Sequence, residues 1–172
     1  RDTVVFSAAT DGAAGGAVTG HDVITGIDLN AGDATDDLIG IDGALETALD
    51  TATAGTIQTT ATDGNDGGNQ AVNMANTAEV TVLVDAEVEI TAADLTTANL
   101  ANVITELDEE LDFSAFTATN THLFVVNVSA TQAGLIFYTD AGGNDTIVAA
   151  DLQLLGIVTH NDGTNLVIGD LA

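Results

Sequence analysis

Residues 140–151 carry oxygen-bearing side chains at the spacing of a calcium-binding loop. Compared with the twelve-residue loop of EF-hand proteins, they supply such side chains at positions 1, 5, 7 and 12. Gly142 at position 3 and an aspartate at position 6 depart from that pattern. Because Ca2+ prefers oxygen ligands, the segment predicts a calcium site. Its candidate ligands are Asp140, Asn144, Asp145, Thr146 and Asp151.

A second interpretation of this loop stays open, in which it is a solvated acidic turn and Asp151 caps the final helix. Other Asp-rich turns, at residues 33–37 and 63–66, are candidates for looser cation binding. Calcium is therefore the one cofactor that the sequence suggests.

Catalysis has little support in the sequence. His21, His122 and His160 are too far apart along the chain to indicate one site, and we interpret them as isolated, exposed or half-buried imidazoles. The patterns of zinc proteases, serine hydrolases and phosphate-binding loops do not occur. We therefore expect no enzyme, although an enzyme or ligand-binding module adapted to high salt remains the third function class.

Charge limits the partners of this chain. Arg1 is the only basic residue beside twenty-seven acidic ones, which gives a formal net charge of −26. Nucleic acid and anionic membranes are normally held by Lys and Arg, so neither is expected as a partner. No apolar run approaches the roughly 20 residues of a membrane-spanning helix, so no membrane insertion is expected. The expected partners are divalent cations and copies of the chain.

The composition nevertheless predicts a folded protein. Hydrophobic residues make up 45% of the chain and the mean hydropathy is +0.29, which is too apolar for an acidic disordered tail. We expect a mainly β fold with one or two short helices (α+β), resembling a β-sandwich or β-roll, with antiparallel strands predominating. Residues 1–172 are expected to form a single acidic domain, with 1–54 and 55–172 as two candidate sub-structures.

Local patterns place the elements. One helix is predicted over 92–111, with Thr91 as its N-cap and apolar residues at helical spacing. A hairpin is predicted from strands 122–128 and 134–139, and a short helix over 149–158. Residues 42–54 are ambiguous, and within them 44–49 fit one or two helical turns. Alternating or β-branched runs predict further strands at 3–7, 21–29 (with Gly26 as a bulge), 38–41, 55–62 and 79–90.

Both ends of the chain resemble a known class of secreted proteins. The segment FYTDAGGNDTIVAADLQLLGIV is similar to C-terminal domains of repeats-in-toxin-type proteins exported by type I systems, and to the ends of some bacterial surface-layer proteins. The opening, DTVVFSA followed by HDVITGIDLNAGDATDDLIGID, resembles the segment that precedes those domains. The family's nonapeptide GGxGxDxUx is absent. The resemblance covers about half of the chain and implies a secreted, calcium-associated surface or matrix protein of a bacterium.

These observations favour an extracellular structural protein at the cell surface. We expect it to self-assemble into a filament, surface layer or matrix in a calcium- or salt-dependent way. The alternative is a C-terminal secretion or display module of a larger type I-secreted protein, whose apolar tail, residues 166–172, is read by an exporter. Arg1 is the candidate assembly residue, through a contact with an acidic face of a neighbouring copy.

Overall fold

The fold is taken from a computed structural model of the chain. The structure describes residues 3–8, 13–14, 22–29, 37–49, 59–62, 72–73, 80–83, 90–95, 100–112, 121–139, 147–161, 163, 165–167 and 171.

Eleven strands, two α-helices and one short 3-10 helix occur in these described residues. The helices are α1 Gly43–Leu49 and α2 Leu100–Glu110, and the 3-10 helix is Ala149–Asp151. The strands are β1 Thr3–Phe6, β2 Ala13–Ala14, β3 Asp22–Ile27, β4 Leu38–Ile41, β5 Thr59–Thr62, β6 Val72–Asn73, β7 Val80–Leu83, β8 Leu111–Asp112, β9 Thr121–Ser129, β10 Gln132–Thr139 and β11 Leu152–His160.

Seven of the described strands form one mixed sheet. Its path runs β2-β11-β10-β9-β7-β5, and β3 also pairs with β11. The three longest strands, β9, β10 and β11, are antiparallel neighbours, whereas β3, β5 and β7 add to the sheet in parallel. Two parallel two-stranded pairs, β1-β4 and β6-β8, lie outside this path. The expected mainly β fold with two short helices is confirmed, and among the described strands antiparallel pairing joins β9, β10 and β11 and also β2 to β11.

Apolar side chains are buried on both faces of the main sheet. On one face, Val103 and Leu107 of α2 pack with Phe124, Tyr138 and Leu154 of the sheet.

The opposite face is covered by the N-terminal elements. Leu45 of α1 and Ile39 of β4 belong to one core cluster with Val125 and Leu135 of the sheet. This contact resembles sheet-on-sheet packing in a sandwich, because β1 and β4 lie over the main sheet. Burial on both sides explains why β9 and β10 read as continuous apolar runs rather than as strict alternation.

Two glycines of the sheet allow layers to approach closely. A Cβ atom at Gly134 would lie 2.6 Å from a methyl carbon of Leu95, and one at Gly156 would lie 2.7 Å from the ring of Phe6. Both distances are shorter than real Cβ contacts allow. Phe6 and Leu95 are fully buried, so each glycine provides the space in which a large side chain seats on the sheet.

Most element predictions are confirmed where the structure describes them. Strands occur within the predicted runs 3–7, 21–29, 38–41, 55–62 and 79–90, and the hairpin forms from β9 and β10. Residues 44–49 lie in α1. Gly26 is a bulge, as expected: the β3–β11 register skips it, and its φ is 78°.

Two helix predictions need correction. The helix predicted over 149–158 is wrong: only Ala149–Asp151 are helical, and Leu152–His160 form β11. Pairing with β10 on one side and with β2 and β3 on the other overrides the helical preference of this leucine-rich run. The helix predicted over 92–111 is shorter, because Thr91–Leu95 form a separate turn and α2 begins at Leu100.

The Phe6–Gly156 contact generates a stability prediction. Replacing Gly156→Ala places a methyl group against the aromatic ring and within 3.2 Å of the Asp22 carbonyl oxygen, so it should destabilise the fold by about 1–3 kcal/mol. Urea unfolding followed by circular dichroism measures the loss. In a Phe6→Leu background the same glycine substitution should cost less, since the ring is gone. An equal loss of unfolding free energy in both backgrounds would show that the Phe6 ring is not what excludes a side chain at residue 156.

Candidate functional site

The predicted calcium loop is only partly within the described residues. Asp140, Asn144, Asp145 and Thr146 lie outside them, as does Arg1. Asp151 is described and is almost completely buried. Its Oδ2 accepts the Val148 N–H at 3.0 Å, and its own N–H donates to the Val148 carbonyl at 2.9 Å. Asp151 therefore caps the short 3-10 helix Ala149–Asp151 rather than a longer final helix, and both interpretations of the loop 140–146 stay predictions.

Of the other predicted cation turns, 63–66 lies outside the described residues, and 33–37 is described only at Asp37. Asp37 accepts the Asp28 N–H through Oδ2 at 3.1 Å and donates its own N–H to the Asp28 carbonyl at 2.7 Å. This pair joins the two ends of the acidic segment 30–36, whose residues Asp33 and Asp36 lie outside the described part. Among the described residues, no three His, Asp or Glu side chains are grouped closely enough to hold a metal ion.

Sequence reasoning missed a turn that occurs twice. Residues 90–95 (ITAADL) and 147–152 (IVAADL) share the pattern Ile-x-Ala-Ala-Asp-Leu. In both copies the Ile, Asp and Leu are buried, and the Asp carboxylate accepts the N–H three residues earlier. The repeated six-residue string was the available signal. Both turns contribute buried residues to the core cluster that α2 covers. Their role is therefore to pack between α2 and this face of the sheet.

Asp94 of the first turn accepts hydrogen bonds from two residues. Its Oδ2 accepts the Thr91 hydroxyl at 2.5 Å and the Thr91 N–H at 2.9 Å, while Oδ1 accepts the Asn102 amide at 2.7 Å. The hydroxyl and amide donors, followed by the backbone donor, lower the pKa of Asp94, against a smaller opposing effect of burial. Asp94 thereby ties the turn to α2.

The two described histidines are buried, which corrects the expectation of exposed or half-buried imidazoles. His122 shares a 2.7 Å hydrogen bond between Nε2 and the Thr81 hydroxyl, and its ring lies 4.7 Å from that of Phe124. His160 is the last residue of β11 rather than part of a turn, and its N–H donates to the Thr131 carbonyl. These contacts indicate packing roles inside the sheet, while His21 lies outside the described residues.

Asn127 fastens the C-terminal tail to the core. Its Nδ2 donates to the carbonyls of Leu83 at 2.9 Å and Leu166 at 3.0 Å, and its Oδ1 accepts the Leu166 N–H at 2.8 Å. Leu166 is fully buried, and Leu171 forms a parallel bridge with Ile39 of β4. The described tail residues are therefore part of the fold. Deletion of residues 166–172 would for this reason affect folding as well as any recognition of the tail by an exporter.

The charges avoid the strands. Of the twenty-seven acidic residues, only Asp22 and Asp112 fall within the bounds of described strands, each at the end of its strand. The other twenty-five lie elsewhere in the chain. Of the described strands on the outside of the main sheet, β2 and β5 contain no charged residue, and β3 contains none between Val23 and Ile27.

These uncharged outer edges are the candidate functional site. In the described part of the chain, β3 pairs only with β11, and β5 pairs only with β7, so one backbone edge of each is not used by another described strand. Val23 of β3 is 63% exposed, more than any other large hydrophobic residue in the described part of the chain. Sequence reasoning did not locate these edges, because strand order is set by contacts between distant segments.

Comparison of the chain with models of protein families, with curated proteins and with solved structures finds no match. The resemblance to C-terminal domains of type I-secreted proteins stays a prediction. In the described residues, no helix is both long and apolar enough to span a membrane.

The hydrogen bonds of Asn127 generate a second prediction. Asn127→Ala leaves two carbonyls and one N–H without this partner in the core, so it should destabilise the fold by about 2–4 kcal/mol. Gln132→Ala is the matched control, because the Gln132 amide makes one long bond of 3.4 Å to Thr159, and it should cost less than about 1 kcal/mol. Equal unfolding free energies for the two variants would show that the hydrogen bonds of Asn127 do not hold the C-terminal tail to the core.

A third prediction concerns acid. Because the folded-state pKa of Asp94 is lowered, its stabilising effect is complete above about pH 4 and is lost as the pH falls through the folded pKa. Asp94→Asn should therefore be less stable at neutral pH and should lose stability less steeply on acidification. Urea midpoints at several pH values measure the slope. Asp22→Asn, which removes an exposed carboxylate, is the control and should keep the steeper wild-type slope.

Proposed function

We propose that this protein is an extracellular structural protein whose copies assemble through their sheet edges into a filament, surface layer or matrix, with calcium or salt providing counter-charge. The observation that carries the proposal is that, in so acidic a protein, β5 has no charged residue and β3 has none after Asp22 at its start. An open edge with β-branched residues is a surface on which a second chain can add strand by strand.

Proteins usually protect such edges with Lys, Pro, charged inward-facing residues or bulges. This chain contains no Lys and no Pro, so the two residues most used for that purpose are missing. The bulge at Gly26 protects only the last part of β3. The edges therefore keep their capacity for pairing, while solubility is provided by the acidic segments between the strands.

Repulsion is what opposes assembly. Copies that each carry −26 repel one another over the Debye length, about 8 Å at physiological ionic strength and longer in dilute salt. Contact between the outer strands of two copies requires that the acidic residues elsewhere in the chain be screened or bridged. Divalent cations do both, because carboxylate oxygens are the ligands that Ca2+ prefers.

An extracellular location is supported by the resemblance of both chain ends to secreted proteins. It is also supported by composition: with one Arg and no Lys, trypsin-like proteases have almost no cleavage site. Assembly and secretion are compatible roles. The buried Leu166 and the Leu171 bridge, however, support a structural role for the tail rather than recognition of a free segment.

The fourth prediction tests assembly itself. Purified protein in chelator and low salt should be monomeric by light scattering, and millimolar CaCl2 should convert it to large particles visible by negative-stain electron microscopy. Addition of chelator should reverse the change.

A protein that stays monomeric at high concentration in millimolar calcium and in molar NaCl would overturn the proposed function. A parallel titration with NaCl separates the two sources of counter-charge. Assembly at micromolar calcium without added salt indicates specific bridging, whereas assembly in molar NaCl alone indicates general screening.

A further inference from the structure

The directions of the strands determine how copies of the sheet can be joined. Two antiparallel steps, β9 to β10 and β10 to β11, leave β11 pointing the same way as β9. β3 is parallel to β11, β7 is parallel to β9, and β5 is parallel to β7. The two outer strands, β3 and β5, therefore lie on opposite sides of the sheet and run in the same direction.

We propose that β3 of one copy pairs in parallel with β5 of the next copy, so that the sheet continues from molecule to molecule in an open filament. The inference rests on the proposed function and specifies its interface. Translation along the sheet preserves strand direction, so it presents β5 to β3 as a parallel neighbour. Head-to-tail contacts of this kind do not close on themselves unless the rotation between copies makes a ring.

The lengths of the two edges agree. The register of β3 with β11 is regular from Asp22 to Thr25 and then shifts at Gly26. Four residues are therefore available in an undistorted strand before the bulge turns the edge away. β5 is a regular strand of four residues, Thr59–Thr62, paired residue by residue with β7. Each edge thus offers the same length of backbone to the other.

Charge favours this contact over a symmetric one. A two-fold contact between two copies of β3 is antiparallel, and it sets Asp22 of each copy opposite the Ile27–Asp28 end of the other. Like charges placed across from each other destabilise a strand pair. β5 consists of Thr and Ala only, so pairing with it places Asp22 beside an uncharged strand.

A variant pair tests the edge. Val23→Glu puts a carboxylate into the proposed contact, and it should raise the protein concentration needed for calcium-induced assembly about tenfold or more. Val167→Glu adds the same charge at another exposed valine, outside the described strands, and should change that concentration less than about twofold. Thermal unfolding in chelator confirms that both variants fold. Equal assembly by the two variants would overturn the edge contact while leaving the proposed function standing.

Cross-linking identifies the partner strand, because the chain has no cysteine of its own. Protein carrying Val23→Cys is mixed, under assembly conditions, with protein carrying one cysteine at residue 59, 60, 61 or 62. Oxidation should give disulfide-linked dimers in the mixture for at least one of these positions, and few with Val23→Cys alone. If disulfide-linked dimers form chiefly from the Val23→Cys protein alone, the contact is a two-fold one between β3 strands and the head-to-tail contact is overturned. A wild-type control that does not assemble would overturn the proposed function, and this inference with it.

Discussion

Repulsion among twenty-seven carboxylates, with one basic side chain to offset them, is the constraint on which the rest of this structure depends. The sheet satisfies it by excluding charge: apart from Asp22 and Asp112, the described strands are uncharged. The central strands β7, β9, β10 and β11 are mostly buried, with α2 over one face of the sheet and α1, β1 and β4 over the other. The other acidic residues in the described part of the chain lie outside the strands, in α1, in α2, in the 3-10 helix and in the residues between elements.

The same constraint explains how the described carboxylates are satisfied. Without Lys, a buried aspartate must take its hydrogen bonds from uncharged donors. Asp94 accepts hydrogen bonds from Thr91 and Asn102, and Asp151 accepts one from the Val148 N–H. The half-buried Asp37 accepts one from the Asp28 N–H. These bonds connect neighbouring elements, so carboxylates that would otherwise only repel one another also fix local structure. Asn127 does the same for the tail with a neutral amide.

Local signals predicted local structure. β-branched residues and turn composition located most strands, the β9–β10 hairpin and the Gly26 bulge. Prediction failed where distant contacts decide the outcome: Leu152–His160 became a strand because β3 and β10 lie beside it. The candidate site could not be predicted for the same reason, since an edge exists only once strand order is known. The Asp151 cap was predictable, because its spacing from Val148 is local.

The measurement that tests the central claim most directly is electron cryo-microscopy of the assembly formed in calcium. We predict a sheet that continues across the boundary between copies, with β3 and β5 of neighbouring molecules parallel and about 4.8 Å apart. The acidic loops should face solvent or bound cations on either side of that boundary. A particle in which both edges face solvent, with copies joined through the acidic loops alone, would contradict it.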